Sequence, residues 1–174
     1  MVVCNAPFHQ YRQHMKLLRL TKTDYLKLMG KKHTPRVNQN QMILVVSDFD
    51  CSHEEITKRL TLQPTLVRLK GEEYRIGGIG AKRIAKQNIW EYEIKTFTND
   101  DFSGQITSFV NRTLKSRMKP LKTISKKANL SLEIVQYYYR GHNPEYVLTR
   151  ETVKILSQIN ANIWFDIYCL SKDR

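Results

Sequence analysis

With 174 residues, 41% of them hydrophobic, the chain suits one domain with a modest extension and is not disordered throughout. Its 29 basic and 16 acidic residues give a net charge of +13, which points to an anionic partner, either nucleic acid or an acidic protein surface. No apolar run approaches the roughly 20 residues of a membrane span, and the start lacks the basic-then-apolar order of a secretory signal, so a cytoplasmic protein is expected.

Cys4 opens an odd, widely spaced set with Cys51 and Cys169; the set lacks metal-ligand spacing and reads as reduced thiols. Residues 1–41 read as a basic arm and linker ahead of a single domain over 42–174. The arm carries Arg12, Lys16, Arg19, Lys22, Lys27, Lys31, Lys32 and Arg36 against one acid, Asp24. Thr21 as an N-cap, with Asp24 three residues on, predicts a short helix with Leu20, Tyr25, Leu28 and Met29 on its apolar face. Gly30 stops it, and KKHTPRVNQNQ follows as a solvated linker. The arm is either a flexible tail or a segment lying on phosphates or on a partner. Met15, just before Lys16-Leu17-Leu18-Arg19, is an alternative start.

Ile43 to Val46 is a continuous apolar run, the pattern of a strand buried on both faces, which opens the domain at Met42. Ser52 followed by Glu55 is a capping box for a helix over His53–Leu60, with Ile56 and Leu60 on one face and Pro64 closing it. Leu66 to Lys70 alternates apolar and basic residues and ends at Gly71. Gly77, Gly78 and Gly80 then invite a phosphate-loop reading. The flanks reject it: a nucleotide loop needs an apolar strand before it and a helix after it. A mobile hairpin loop is expected instead, and Arg75, Lys82, Arg83 and Lys86 make it a second basic cluster. Trp90 to Thr96 follows as a half-buried strand with Trp90, Tyr92 and Ile94 inward.

A long helix is predicted from Asp101 or Phe102 to about Ala128, capped by Asn99 or Asp100. Ile106, Phe109, Val110, Leu114, Leu121, Ile124 and Ala128 fall on one face; Arg112, Lys115, Lys119, Lys122 and Lys126 form one stripe on the other. No acid occurs between Phe102 and Leu132, so the stripe is either a solvated face or an anion-facing one. Pro120 must kink this helix or start a second one as its first residue. The strand Leu130–Tyr139 puts Leu132, Ile134, Gln136 and Tyr138 on one face and Glu133, Val135, Tyr137 and Tyr139 on the other. Tyr137 and Tyr139 are candidates for stacking bases, although tyrosines also simply favour strands. Thr149 or Thr152 caps a last helix bearing Val153, Leu156 and Ile159, ended by Asn160 or Asn162, and Ile163–Tyr168 is the final strand.

The order βαββαβαβ predicts an α+β domain: a ferredoxin-like split βαβ extended by an αβ unit, a mixed sheet with helices on one face. Ser47-Asp48-Phe49-Asp50 before Glu54-Glu55-Ile56, Leu62-Gln63-Pro64-Thr65 with Lys70-Gly71, Trp90, Leu148-Thr149 and Asp166-Ile167-Tyr168 carry a resemblance by their order and spacing. Over about Met42 to Leu170 the chain resembles the bacterial family catalogued as domain of unknown function 4279. The resemblance implies a compact α+β domain without an established activity, in a group suspected of immunity or accessory roles.

No catalytic residues and no cofactor are expected. His9, His14, His33, His53 and His142 are scattered. Asp48 and Asp50, with Glu54 or Asp166, make a conceivable metal set, but Asp50 reads better as a helix cap and Asp48 as a second one. Cys51 beside His53 reads as a buried thiol at a helix start. Two binding hypotheses remain: a module docking on an acidic protein, or a nucleic-acid accessory protein using the arm, the 75–86 loop and the 112–126 stripe.

Overall fold

The structure, a computed structural model, describes residues 37–75, 81–139 and 144–170. The expected arm helix, Lys31, Lys32, Arg36 and the glycines at 77, 78 and 80 lie outside them. The elements are β1 (Gln39–Ser47), α1 (His53–Leu60), β2 (Leu66–Arg68), β3 (Glu73–Arg75), β4 (Lys82–Ile84), β5 (Ile89–Phe97), α2 (Phe102–Phe109), α3 (Met118–Ile124), β6 (Asn129–Tyr139), α4 (Arg150–Gln158) and β7 (Ala161–Leu170). Five strands form one mixed sheet in the order β2-β5-β1-β6-β7. Its neighbours are antiparallel except for β6 and β7. β3 and β4 pair as a separate antiparallel ribbon. The fold is α+β.

β1 begins at Gln39, three residues ahead of the expected start at Met42. The linker reading failed there because its polar residues are bonded inside the sheet. Asn40 is fully buried; its Oδ1 accepts from Gln136 Nε2 at 2.8 Å and its Nδ2 donates to the Thr98 carbonyl at 3.4 Å. The Tyr146 hydroxyl closes this chain on Gln136 Oε1 at 2.5 Å, and burial pushes that phenol up to about 12. An amide can be buried when each of its groups has a partner, and composition cannot show the partner.

The core lies on one face. Leu44 stands beside Tyr92 and Leu132, Met42 beside Ile94 and Ile134, and Val46 beside Trp90 and Leu130. Onto these rows pack Ile56 and Leu60 of α1, Phe102, Ile106 and Phe109 of α2, Leu121 and Ile124 of α3, and Ile155 and Leu156 of α4. The Trp90 indole donates to Thr57 Oγ1 at 3.0 Å, so the polar tip of this fully buried side chain is satisfied. Ser52 caps α1 through the Glu55 amide as predicted, and Thr149 rather than Thr152 caps α4. α2 is capped by Asp101, whose carboxylate accepts from the Gly104 amide at 2.9 Å. The side chains of Asn99 and Asp100 bind Asn38 and Thr98 instead. Val153 is 51% exposed; Thr152, Ile155 and Leu156 form the buried stripe of α4. Asn160 ends that stretch with a positive φ of 53°.

The predicted helical region is broken into two helices, one of the two outcomes that Pro120 left open. A π turn (Val110–Leu114) and a 3-10 turn (Lys115–Arg117) separate α2 from α3, and Pro120 is the third residue of α3, within the first turn, where a missing N–H costs nothing. The loose turn and the tight turn act in opposite directions on helical phase. Ile106, Phe109, Val110, Leu114, Leu121 and Ile124 therefore all stay buried, as one straight helix would have them.

Arg117 fastens this break to α1. Its Nε donates to the Leu60 carbonyl at 2.6 Å, at the C-terminus of α1, and its Nη1 to the Thr113 carbonyl at 3.1 Å and Ser116 Oγ at 2.8 Å. A guanidinium on carbonyls at a helix C-terminus is favoured by charge and by geometry. Arg117→Met should lower unfolding free energy by about 1–3 kcal/mol, read as a lower urea midpoint at unchanged slope. Lys119→Met, two residues on and exposed, should stay within about 0.5 kcal/mol of the parent. Equal losses from both would show that Arg117 is not the tie.

Candidate anion-binding surface and the opposite sheet face

Arg112, Lys115, Lys119, Lys122 and Lys126 are all exposed on the outside of the helix layer, with their backs on the buried row just described. The apolar side of the segment is drawn to the sheet, and the cations are left where water or a partner can reach them. Only Lys115 among them has a described acidic partner, Glu151 Oε1 of α4 at 2.6 Å. Both groups of that pair are more than half exposed, so it contributes little to stability; the contact with Lys115 still holds Glu151 below its ordinary value. Lys58 and Arg150, not singled out by periodicity, are exposed on the neighbouring helices α1 and α4 and widen the cationic surface. Lys58, in the last turn of α1, and Arg150, the first residue of α4, are both visible in the sequence, but which helices stand side by side was not.

The second basic cluster is elsewhere. Arg75, Lys82, Arg83 and Lys86 are exposed on and beside the β3–β4 ribbon, and Lys82 is paired with Glu73 at 2.8 Å. Backbone bonds from Gly71 N to Ala85 O and from Ala85 N to Glu72 O close the ribbon's base, just after the short edge strand β2. Gly71 has a φ of 88°, a conformation that costs glycine nothing.

Tyr137 and Tyr139 are on the far side of the sheet from the helices. Alternation sets them opposite Leu132 and Ile134, and Tyr137 stacks on Tyr168 of β7 with ring centroids 4.7 Å apart. The same face carries Glu91 and Glu93 from β5, Glu133 from β6 and Asp166 from β7. Glu93 and Glu133 flank Ile43 of β1 from either side, and Asp166 stands beside Val135. Arg68 faces Glu91 at the β2 edge and Lys95 reaches Glu93 at 3.3 Å, so the face is acidic with a cationic fringe. Burial, reinforced by Glu91 and Asp166, pushes the Glu133 carboxyl up to about 7; burial likewise raises Glu91, with Arg68 opposing. The tyrosines and the lysine stripe are therefore on opposite sides of the sheet, and a phosphate backbone drawn to the tyrosines would meet carboxylates.

The conceivable metal set is dispersed. Asp48 follows the C-terminal end of β1, whereas Asp166 stands beside Val135, whose β1 partner is Gln41 near the other end. The Asp48 carboxylate accepts from the Asn129 amide at 3.1 Å; Asp48 itself has a φ of 57°, and no cap is made by it or by Asp50. Among the described residues no three His, Cys, Asp or Glu are grouped to hold a metal ion. Burial, then the charge of Glu55, raises the Cys51 thiol, which opposes a thiolate at that helix start. A shallow cleft beside α1 is lined by His53, Glu54, Thr57, Lys58, Thr61, Gln63 and Pro64; its His53–Glu54 pair is 2.9 Å long and open to water. No described helix is long and apolar enough to cross a membrane.

The chain belongs to the family described as Domain of unknown function (DUF4279), whose model matches residues 38–170. No curated protein and no solved structure matches it. The match opens at Asn38, beside the start of β1, and ends at Leu170, the last residue of β7.

The acidic face has a pH signature. An unfolded Glu133 titrates near 4.5, and the folded one near 7. Across that window the folded state holds a proton that the unfolded chain has lost, so stability falls as pH rises. Glu133→Gln should remove the Glu133 share of the slope between about pH 4.5 and 7, leaving that of Glu91, and stabilise the protein at pH 8 by up to about 3 kcal/mol. Urea melts of both proteins at pH 5 and pH 8 check this: the gap should be small at pH 5 and large at pH 8.

Proposed function

We propose that this chain is a non-enzymatic binding protein that docks the cationic outside of its helix layer on an acidic surface of a partner protein, as an immunity-type, inhibitor or accessory module of the cytoplasm does. The observation that supports it is the stripe from Arg112 to Lys126, exposed throughout and met by one described acid, Glu151. A surface of mixed sign would be the neutral solution for a solvated face, and this segment keeps one sign at the cost of self-repulsion. Charge of this kind steers association and sets its salt dependence.

The same stripe also suits a phosphate backbone, which keeps nucleic acid as the second reading. Against it stands the separation of the stripe from the tyrosine face. Proteins that grip single strands combine cations with aromatic platforms on one surface, and here the two are apart. We also infer that β1, α1, β2, β5, the α2–α3 segment and β6 form a ferredoxin-like split βαβ, with α4 and β7 appended. The antiparallel run β2-β5-β1-β6 and the parallel β6–β7 pair support this.

The reading is tested by replacing Lys119, Lys122 and Lys126 together with Glu. The three are exposed, so the melting temperature should move by no more than a few degrees. The tagged parent captures its partner, and association is then timed against both forms at about 50 and 200 mM salt. A fall of tenfold or more in association rate at the lower salt, with folding intact, is expected. Unchanged kinetics would assign the stripe to solvent. Labelled duplex DNA at the same two salts separates the second reading: retention at the lower salt, with a loss of orders of magnitude at the higher, would put phosphate in place of the acidic protein.

A further inference from the structure

The row of cations on the α2–α3 segment has a spacing as well as a sign. Arg112, Lys115, Lys119, Lys122 and Lys126 follow one another at steps of three and four residues, and all five are exposed. At about 1.5 Å per residue the row is about 20 Å long, with a charge about every 5 Å. The exposed residues beside it, Asn111, Ser116 and Thr123, are polar, and no large hydrophobic side chain between Phe102 and Ile124 is exposed. A partner laid on this row gains from charge and hydrogen bonds, and little from apolar burial.

The spacing selects the form of that partner. On an α-helix, residues three and four apart share a face and lie about 5–6 Å apart, so carboxylates at that interval meet the five cations in register. A strand repeats on one side about every 7 Å, and along the same row it drifts out of step by about one cation. The protein itself holds one example of a helix lending a carboxylate to the row. Glu151, in the first turn of the neighbouring helix α4, accepts from Lys115 Nζ at 2.6 Å. That contact, with the charge of Lys154 adding, keeps the Glu151 carboxyl below its ordinary range. Arg112, Lys119, Lys122 and Lys126 have no acid partner among the described residues.

We propose that the row binds an acidic α-helix of the partner, with carboxylates recurring every three or four residues, laid along the segment from Arg112 to Lys126, and that Glu151 holds one of its places until it arrives. The inference rests on the reading proposed for the helix layer and gives the partner its form. Glu151 is a weak competitor: both members of its pair are more than half exposed, so the contact is exchanged at little cost. Removing it frees Lys115 for the incoming helix.

The test titrates the full chain into labelled peptides of about 20 residues, long enough to form a helix, and reads fluorescence anisotropy at about 50 mM salt. The first peptide sets five Glu at steps of three and four on a background of Ala and Gln. The second has the same composition with Glu at every second position. The third is the first with a central proline, which breaks the helix. The first should bind at least tenfold more tightly than either of the others. Glu151→Gln should tighten it by about two- to fivefold, and Lys119→Glu, Lys122→Glu and Lys126→Glu together should abolish it. Equal binding of all three peptides, or binding of none, would overturn the helix; so would binding that survives the triple substitution. No gain from Glu151→Gln would overturn the part given to Glu151. The broader reading is checked apart from these peptides: if association of the captured partner still depends on the three lysines, only the helix is lost, and if it ignores them, the docking surface falls as well.

Discussion

Everything in this domain depends on β1 lying between β5 and β6. A central strand must match two neighbours at once, and its alternation fixes what lies above and below the sheet. Met42, Leu44 and Val46 commit one face to the helices, which brings Trp90, Leu130, Leu132 and Ile134 to the same side. Gln41, Ile43 and Val45 then define the other side, and the residues registered with them include Glu91, Glu93 and Glu133. A slip of one residue in the β1–β5 pairing would carry Glu91 and Glu93 into the helix-covered core, and one in the β1–β6 pairing would carry Glu133 there. The cost of burying them is the guard on the register. Asn40, bonded to Gln136 and Thr98, pins the opposite end, where apolar contacts are fewer.

The helix layer answers the same constraint by a different device. Between Phe102 and Ile124 the chain covers much of the sheet, and it does so through three kinds of helical turn rather than one. The buried row survives because the π turn and the 3-10 turn offset each other, and Arg117 holds the broken part against the end of α1. The break leaves the outer row intact as well, so a stripe that periodicity predicts for a straight helix is still exposed along its full length.

Legibility followed locality. α1 was readable to the residue because Ser52, Glu55, Ile56 and Leu60 are a local signal. The faces of β6 were readable because a strand has period two. The start of β1 was not, since Asn38, Gln39 and Asn40 look like linker until their distant partners are known. The ribbon of β3 and β4 was read as one loop, because three-residue strands lack a measurable alternation. The exposure of Val153 was missed for a related reason: which stripe of a helix is buried depends on where the sheet lies beneath it. At the candidate surface the lysines were found residue by residue, yet their separation from Tyr137 needed the strand order. Nothing in the spacing of Glu91, Glu93, Glu133 and Asp166 along the chain shows that they share a face.

That last point changes what the net charge means. A value of +13 suggests a uniformly cationic body, but it is only a sum. The described acids of β5, β6 and β7 gather on one side of the sheet, and the cations of the α2–α3 segment stand on the other, a helix layer away. At physiological ionic strength the field of an exposed charge is largely screened within about 8 Å, and a helix with its side chains is itself about 10–12 Å thick. The two sides therefore act as independent electrostatic surfaces rather than cancelling. The net charge describes neither surface: one is set by Arg112, Lys115, Lys119, Lys122 and Lys126, the other by Glu91, Glu93, Glu133 and Asp166.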